Sequence, residues 1–389
     1  MNSPSLISTA EVIALASALV AYDTSNPPGN EEPALQALGA YLTNAGLQVH
    51  YQPVAPNRAN LIARLPGRAR FGSLVFSGHI DVVPATEPDW QTPPFIATQI
   101  GENLFGRGTA DMKGGVAAMA TALTHLARSG FTPSTDIILI ITSGEERGMP
   151  GAKLASSSHV LDGCAAFVIG EPTGLDLCTA EKGFLNWTLR VHGKAAHSSQ
   201  PHLGINAISF MARLIAALES TPLSSTPHPI LQHPTLTITL LNGGVAHNVI
   251  PPLCTALINV RTVSEQSRTT IEHHIQRLIE QTRQATSLPV NVTLELESSG
   301  PVVEIASDHP LVQSAVRAIT TVCGTSPRLT GFTGGTEAKI YVPAYQAPAI
   351  ILGPGHLELA HQTNEFVPIS ELASAANVYL QIARNLLST

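Results

Sequence analysis

The chain has 389 residues, with 28 acidic and 21 basic side chains, a net charge of −7 with histidine neutral, and 44% hydrophobic residues. That length allows two domains with substantial cores, and so apolar a composition excludes a disordered chain. Few, scattered cations on a mildly acidic chain exclude DNA and RNA as partners, because phosphate neutralisation supplies most non-specific nucleic-acid affinity.

The first apolar segment, residues 12–22, lacks the charged flank of a signal peptide, since no Lys or Arg precedes Arg58. Ser8 followed by Glu11 predicts a capping box that opens an amphipathic helix there. Residues 32–45 and 114–128 carry helical spacing, while 74–77, 137–142 and 166–169 are short apolar runs that read as buried parallel strands. The longest wholly apolar run, 137–141, is far shorter than the roughly 20 residues a membrane span needs. Alternating strand and helix predicts an α/β sheet with right-handed crossovers, whose ligands gather at the carboxyl ends of the strands.

From about Thr179 the pattern changes. Residues 184–192 alternate like a half-exposed strand, 204–218 form an amphipathic helix, and 235–240 and 255–261 read as strands. A second long helix (264–285) and a strand (290–296) complete a β-α-β-β-α-β order, the ferredoxin-like arrangement. The proline-rich stretch 221–234 is a loop within it. A helix at 310–322 and an apolar strand at 349–352 then resume the α/β style. The expected fold is therefore a mostly parallel α/β domain, residues 1–178 and 297–389, with an inserted ferredoxin-like domain at 179–296. The four cysteines (Cys164, Cys178, Cys254, Cys323) form no CxxC pair, which points to reduced thiols and a reducing, cytoplasmic compartment.

Polar groups follow each expected strand end. Gly78-His79-Ile80-Asp81 follows 74–77, Asp111 opens a helix after a glycine-rich turn, and Glu145 and Glu146 follow 137–142. Glu171 follows 166–169, and His361 follows the last strand. Singly, such acids are most often solvated surface groups. Jointly, in a parallel sheet that brings the edges together, imidazole and carboxylate suit zinc, manganese or cobalt. Two histidines with three acids exceed one tetrahedral site and suit two ions about 3.5–4 Å apart that share a carboxylate. Asp81, two residues past His79, is placed to orient its imidazole. Glu145 and Glu146 are adjacent and point opposite ways in an extended segment, so one ligates while the other faces substrate as a general base.

The strings SGHIDVVP, GRGTADMKGG, TSGEE, GEPTG, GKAAHSSQPHLGINAI and GPGHLELAHQTNEF occur in this order between Asp23 and Phe366. They resemble the signatures of the dinuclear zinc aminoacylase and carboxypeptidase family, which includes acetylornithine deacetylase, succinyl-diaminopimelate desuccinylase, aminoacylase and carboxypeptidase G. The resemblance implies that His79 and Glu171 bind one metal, that Glu146 and His361 bind the other, and that Asp111 bridges. It implies that Glu145 is the general base and Asp81 the partner of His79. In the inserted lid, it implies that His197 stabilises the oxyanion, usually from the partner subunit of a homodimer, and that Arg261 and Asn248 grip the substrate carboxylate. The lid's first helix and its edge strand are the expected dimer contact. Gly335 and Thr336 match a loop near the substrate.

The implied cofactor is two Zn2+, with Co2+ or Mn2+ as alternatives, and the implied reaction is hydrolysis of an N-acyl amide or peptide bond beside a free carboxylate. Two cations would lower the pKa of the attacking water, and Glu145 would take its proton and pass it to the leaving amine. Gly335-Thr336-Glu337-Ala338 looks more like acetylornithine deacetylases than desuccinylases, which favours a short N-acyl group on a basic or polar amino acid. Desuccinylase, dipeptidase and carboxypeptidase activities are the alternatives. A non-catalytic binding homologue would have lost Glu145 or a ligand, and all are present. A nucleotide-dependent enzyme would need a P-loop or dinucleotide fingerprint, and Gly106-Arg107-Gly108 lacks that spacing. His356 does not stand at the ligand position of its loop. Lys113 is expected to cap a local turn, and Cys178 has no base beside it to make it a nucleophile.

Overall fold

The computed structural model describes residues 7–86, 88–223, 226–264 and 266–388. The chain forms two compact units, Met1–Ala180 with Val303–Thr389, and Glu181–Val302. Their limits fall slightly later than the sequence limits of 178 and 296, because the strands Leu177–Glu181 and Asn291–Gly300 run across those positions.

The first unit is built on a nine-stranded sheet. Its middle strands, in spatial order Thr135–Thr142, Ala69–His79, Cys164–Ile169 and Ala349–Ile351, are mutually parallel. They are near-continuous apolar runs because both faces are covered. Successive side chains enter opposite cores. Ile137, Leu139, Ile141, Leu74, Phe76 and Val168 join one, and Ile138, Ile140, Val75, Phe167 and Ile169 the other. Helices Thr9–Val20, Lys113–Arg128, Pro310–Cys323 and Ile369–Leu387 cover the first face, and Pro150–Ser157 and Ala338–Tyr345 the second. The result is a three-layer α/β/α arrangement.

The flanks of this sheet are antiparallel. A hairpin of Gln48–Ala55 and Arg58–Leu65 adds to Thr135–Thr142. The sequence pattern does not reveal it, because buried Gln52 and Asn60 break the apolar alternation; Asn60 Nδ2 donates to Gln52 Oε1 at 2.8 Å. Pro53 is tolerated because Gln48–Ala55 is an edge strand. On the other side, Leu177–Glu181 runs antiparallel to Ala349–Ile351 and neighbours Val303–Glu304. Ala349–Ile351 therefore lies between Cys164–Ile169 and Leu177–Glu181, two strands that are close in sequence.

The capping box at Ser8 does not form. Ser8 makes no side-chain cap bond, and the Glu11 carboxylate instead accepts from Tyr41 Oη and Arg128 Nη1, both at 3.1 Å.

The second unit is an antiparallel sheet in the order Thr235–Gly243, Leu253–Thr262, Gly183–His192, Asn291–Gly300. With helices Ala207–Ser220 and Arg268–Thr286 it realises the βαββαβ order. Leu185, Trp187, Leu189 and Val191 alternate into its core with Cys254, Ala256, Ile258 and Val260. Both helices carry side-chain caps, Asn206 accepting from Ser209 N and Ser267 from Thr270 N, each contributing about 1 kcal/mol. Among the described residues no helix is long and apolar enough to cross a membrane. All four cysteines are free thiols; Cys178 and Cys254 are buried, whereas Cys323 is exposed.

Candidate metal centre

The parallel register brings the strand ends together. Ser77 pairs with Ile140 on one side and with Ile169 on the other, and His79 pairs with Thr142. Two residues beyond Ser77 and Ile169 stand His79, at the end of its strand, and Glu171, just past the end of the neighbouring one. His79 Nε2 lies 3.7 Å from Glu171 Oε1. Asp111 reaches this edge from the turn before the helix Lys113–Arg128. That helix approaches so closely that a Cβ on Gly115 would stand 2.2 Å from Gly170 O. Glu145 and Glu146 open a short 3-10 turn after Gly144, whose φ of 86° suits only a glycine without strain.

Two sets of residues that could hold a metal ion result, His79 with Asp111 and Glu171, and Asp111 with Glu146 and His361. Within each set the ligand atoms lie within 4.8 Å of one another. Asp111 belongs to both, Oδ1 facing His79 Nε2 at 3.0 Å and Oδ2 facing His361 Nε2 at 3.3 Å. His361 Nε2 is also 3.1 Å from Glu146 Oε1.

The electrostatics follow from this crowding of ionisable groups. Burial, with the charges of Asp111, Glu145 and Glu146, holds Glu171 well above the usual carboxylate range despite His79. Burial likewise holds Glu145 well above it, against the charge of His79 and together with those of Glu146, Asp111 and Asp81, and it raises Glu146 too. Burial opposes the imidazolium of His79, yet its bond to Asp111 and the charges of Glu171, Asp111 and Glu145 raise its pKa well above 6.5. Hydrogen bonds to Asp111 and Glu146 lift His361 to about 10. Burial works against ionised Asp111, but both histidines together hold its pKa below the usual range. Crowded carboxylates with two histidines between them form a donor set that divalent cations complete. The His79 tautomer agrees: Nδ1 donates to the Asp81 backbone carbonyl at 2.9 Å, which leaves Nε2 free to ligate.

Asp81 meets His79 twice: its backbone carbonyl takes the Nδ1 hydrogen bond, and its carboxylate stands 3.6 Å from the same nitrogen. The carboxylate also accepts from the backbone amides of Gly144, Glu145 and Glu146.

Three buried groups at the site escape sequence reasoning. Glu365 accepts from Ala110 N (2.9 Å), Asp111 N (3.0 Å) and Arg107 Nη1 (2.7 Å), fixing the backbone of the shared ligand. Glu337 accepts from Ser77 Oγ at 2.7 Å and from Thr142 Oγ1, joining the two strands that end in His79 and Thr142. Asn26 donates to Asp81 Oδ2 at 2.9 Å. Proximity to Gly335-Thr336 was the one signal for Glu337. Lys113 is fully buried, and its Nζ donates to Tyr22 O at 2.7 Å rather than capping its own turn; burial lowers its pKa to about 7.

Other expected site residues lie apart from these. Thr336 is buried and accepts from Ala338 N at 3.1 Å, at the start of the helix Ala338–Tyr345, while Gly335 is exposed. His356 Nε2 faces Glu371 Oε1 at 3.1 Å, outside both ligand sets. A cleft of about 330 Å³ opens one residue past Glu171, lined by Thr173, Asp176, Arg328, Thr330, Thr333 and His356.

His197, Asn248 and Arg261 belong to the second unit. His197 bridges to Val249, and Ser198 N donates to Asn248 O at 2.9 Å, so His197 and Asn248 are neighbours. His197 Nδ1 accepts from Ser199 N at 3.2 Å, which places the proton of the neutral ring on Nε2. Arg261 stands near the other end of the strand Leu253–Thr262, its guanidinium 6.0 Å from the Phe184 ring.

Comparison with known proteins agrees with this geometry. Residues 75–385 match the model of peptidase family M20/M25/M40. A probable succinyl-diaminopimelate desuccinylase of Staphylococcus epidermidis is 29% identical, over 97% of this chain and 98% of its own. An acetylornithine deacetylase of Vibrio cholerae is 31% identical, over 94% of each chain. Among solved structures, a tripeptidase of Staphylococcus aureus superposes with a TM-score of 0.82 at 23% identity, covering 98% of this chain and 99% of its own. A dinuclear metal-binding M20 peptidase of Bacillus subtilis gives 0.77 at 17% identity, with the same coverage.

Proposed function

Because the chain belongs to peptidase family M20/M25/M40 and is a hydrolase of amide bonds, we propose that it removes a short acyl group from an N-acyl amino acid, as an acetylornithine deacetylase does. One observation carries this reading: two ligand sets share Asp111, with the Glu145 carboxylate beside them and free of any hydrogen bond among the described residues. We assign the ions as zinc, with cobalt or manganese as alternatives, held by His79, Asp111 and Glu171 and by Asp111, Glu146 and His361. Such ions supply a water of lowered pKa and an electrophile for the carbonyl oxygen.

The chain's own groups then divide the work. Glu145, which two neighbouring cations would hold as the carboxylate, takes a proton from the attacking water and hands it to the leaving nitrogen, yielding a carboxylic acid and a free amino acid. His197 donates through Nε2–H to the carbonyl oxygen as negative charge develops there. Arg261 pairs with the substrate carboxylate, and its planar fork suits a bidentate contact. Asn248, Gly335 and Thr336 complete the substrate contacts. The polar cleft beside Glu171 suits a polar or charged amino-acid side chain.

We assign the working form as a homodimer. Eight residues of extended strand, roughly 26 Å, separate Leu253 from Arg261, and Asn248 lies beyond Leu253. One small substrate therefore cannot touch both Arg261 and the His197–Asn248 pair of the same copy. A second copy that lends His197 and Asn248 removes the difficulty. The edge strand Thr235–Gly243 exposes Leu240 (59%) and Leu241 (55%), and the helix Ala207–Ser220 exposes Ile208 beside it, an apolar patch suited to that contact. Four free thiols support a reducing, cytoplasmic setting.

The likeness to the Staphylococcus epidermidis protein makes N-succinyl-diaminopimelate the second substrate to test. The experiment is hydrolysis of N-acetylornithine, N-succinyl-diaminopimelate and dipeptides by zinc-loaded protein, with Glu145→Gln as the control. The variant should keep about two metals per chain while turnover falls by roughly three orders of magnitude or more. Retention of a tenth of the activity would remove Glu145 from its role, and wild-type inactivity on every substrate would overturn the reading.

A further inference from the structure

The buried Asp81 carboxylate accepts four N–H groups. Oδ1 takes Gly144 N at 2.9 Å and Glu145 N at 3.0 Å, and Oδ2 takes Glu146 N at 3.3 Å and Asn26 Nδ2 at 2.9 Å. Three of the donors are consecutive backbone amides of the turn that carries Glu145 and Glu146. The fourth is a side chain from a distant segment, itself only 4% exposed. That segment is fastened along its length: Lys113 Nζ donates to Tyr22 O at 2.7 Å, Thr24 Oγ1 to Ile80 O at 2.7 Å, and Asn26 N to Val82 O at 2.8 Å.

We infer that Asn26 is a positioning residue for the amide hydrolysis: it orients the Asp81 carboxylate, and that carboxylate shapes the turn from which Glu145 and Glu146 project. The inference rests on the proposed roles of those two glutamates. A carboxylate offers about four lone-pair sites, and its terminal torsion is broad, so the plane of Asp81 is set by its partners rather than by its own rotamer. The turn amides occupy three sites, the contact to Glu146 N being the longest of the four. Asn26 supplies the donor that shares Oδ2 with Glu146 N and holds that oxygen in place. The full burial of Lys113 acquires a purpose in the same chain of contacts. Its ammonium is spent on a main-chain carbonyl of the segment that delivers Asn26. His79 touches the same residue, its Nδ1 bonded to the Asp81 carbonyl at 2.9 Å and 3.6 Å from the carboxylate.

The test uses Asn26→Asp, which keeps the shape of the side chain and sets an acceptor against Asp81 Oδ2. In the zinc-loaded enzyme kcat should fall roughly 10- to 100-fold with KM changed less than about twofold, the scale for groups that orient catalytic residues. Hydrogen exchange followed by mass spectrometry should show faster exchange in peptides spanning 143–149. Protection at Ile80 and Val82, whose amides bond Thr142 O and Thr24 O, should persist. Asn26→Ala is the second variant should Asn26→Asp not fold, with the same direction expected. Unchanged exchange over 143–149 in the folded variant would overturn the inference, as would a lower Tm with kcat intact. If wild-type enzyme hydrolyses none of the substrates, the proposed function fails, while the exchange measurement still decides whether Asn26 holds the turn.

Discussion

Replacing Glu337 by Gln isolates one buried carboxyl group. The side chain is 1% exposed and accepts hydrogen bonds from Ser77 and Thr142, yet burial outweighs both and raises its pKa from 4.5 to about 7. A raised carboxyl pKa means that the folded chain retains a proton that the unfolded chain releases between pH 4.5 and 7, so stability falls as pH rises through that window. At 1.36 kcal/mol per pH unit the interval amounts to about 3 kcal/mol, absent below pH 4.5 and complete above pH 7. Glutamine has no proton to lose, and it resembles the neutral acid. The variant should match the wild type near pH 4 and gain about 3 kcal/mol on it by pH 8, while the titration of groups distant from Glu337 cancels in the comparison. Urea unfolding of chelated protein measures this. Trp90 reports on the first unit once Trp187, in the second, is changed to Phe. A difference between variant and wild type that stays within about 0.5 kcal/mol from pH 5 to 8 would refute the assignment of Glu337 as a buried carboxyl titrating near neutrality.

Two further outcomes follow from the metal centre and the second unit. Zinc binding to chelated protein at pH 7 should release protons, because His79 and His361 hold theirs above the usual range and must give them up to ligate, and Glu171 and Glu146, also raised, add to the release. Affinity should therefore rise with pH, and an indicator-dye titration that shows no release would contradict the ligand sets. Mixing Glu145→Gln and His197→Ala chains, each nearly inactive, should restore activity if His197 acts across a dimer. Random reassociation places half of the dimers in the mixed form, each with one intact site, which gives about a quarter of wild-type activity. Additive residual activities alone would return His197 to its own chain.

The parallel strands were legible because both of their faces are buried: runs such as Ile137–Ile138–Leu139–Ile140–Ile141 feed the cores on the two faces of the sheet. The meeting of His79, Asp111, Glu146, Glu171 and His361 was legible for the same reason, since parallel strands end at one edge. What stayed hidden depends on partners distant in sequence. The edge hairpin is held by a polar pair, Asn60 and Gln52, where an apolar alternation was sought. Glu11 is drawn from its own helix terminus by Tyr41 and Arg128. The role of Asp81 divides between its carbonyl and its carboxylate, a distinction that spacing does not carry. Glu337 meets Ser77 across 260 positions, and only the folded register brings the two together.

The strand Ala349–Ile351, wedged between Cys164–Ile169 and Leu177–Glu181, sets an order of events during synthesis. Until that strand leaves the ribosome the large sheet has a gap in its middle, and the helix Ile369–Leu387 that covers one face follows it. The unit Glu181–Val302 is contiguous and complete well before. At 5–20 residues per second the wait from Glu181 to Ala349 lasts roughly 10–30 s. A nascent chain thus carries a finished second unit beside a half-built first one, whose apolar strands must be shielded by other means. His361 is the last residue of its group to be made, so the group it forms with Asp111 and Glu146 is completed only near the end of synthesis.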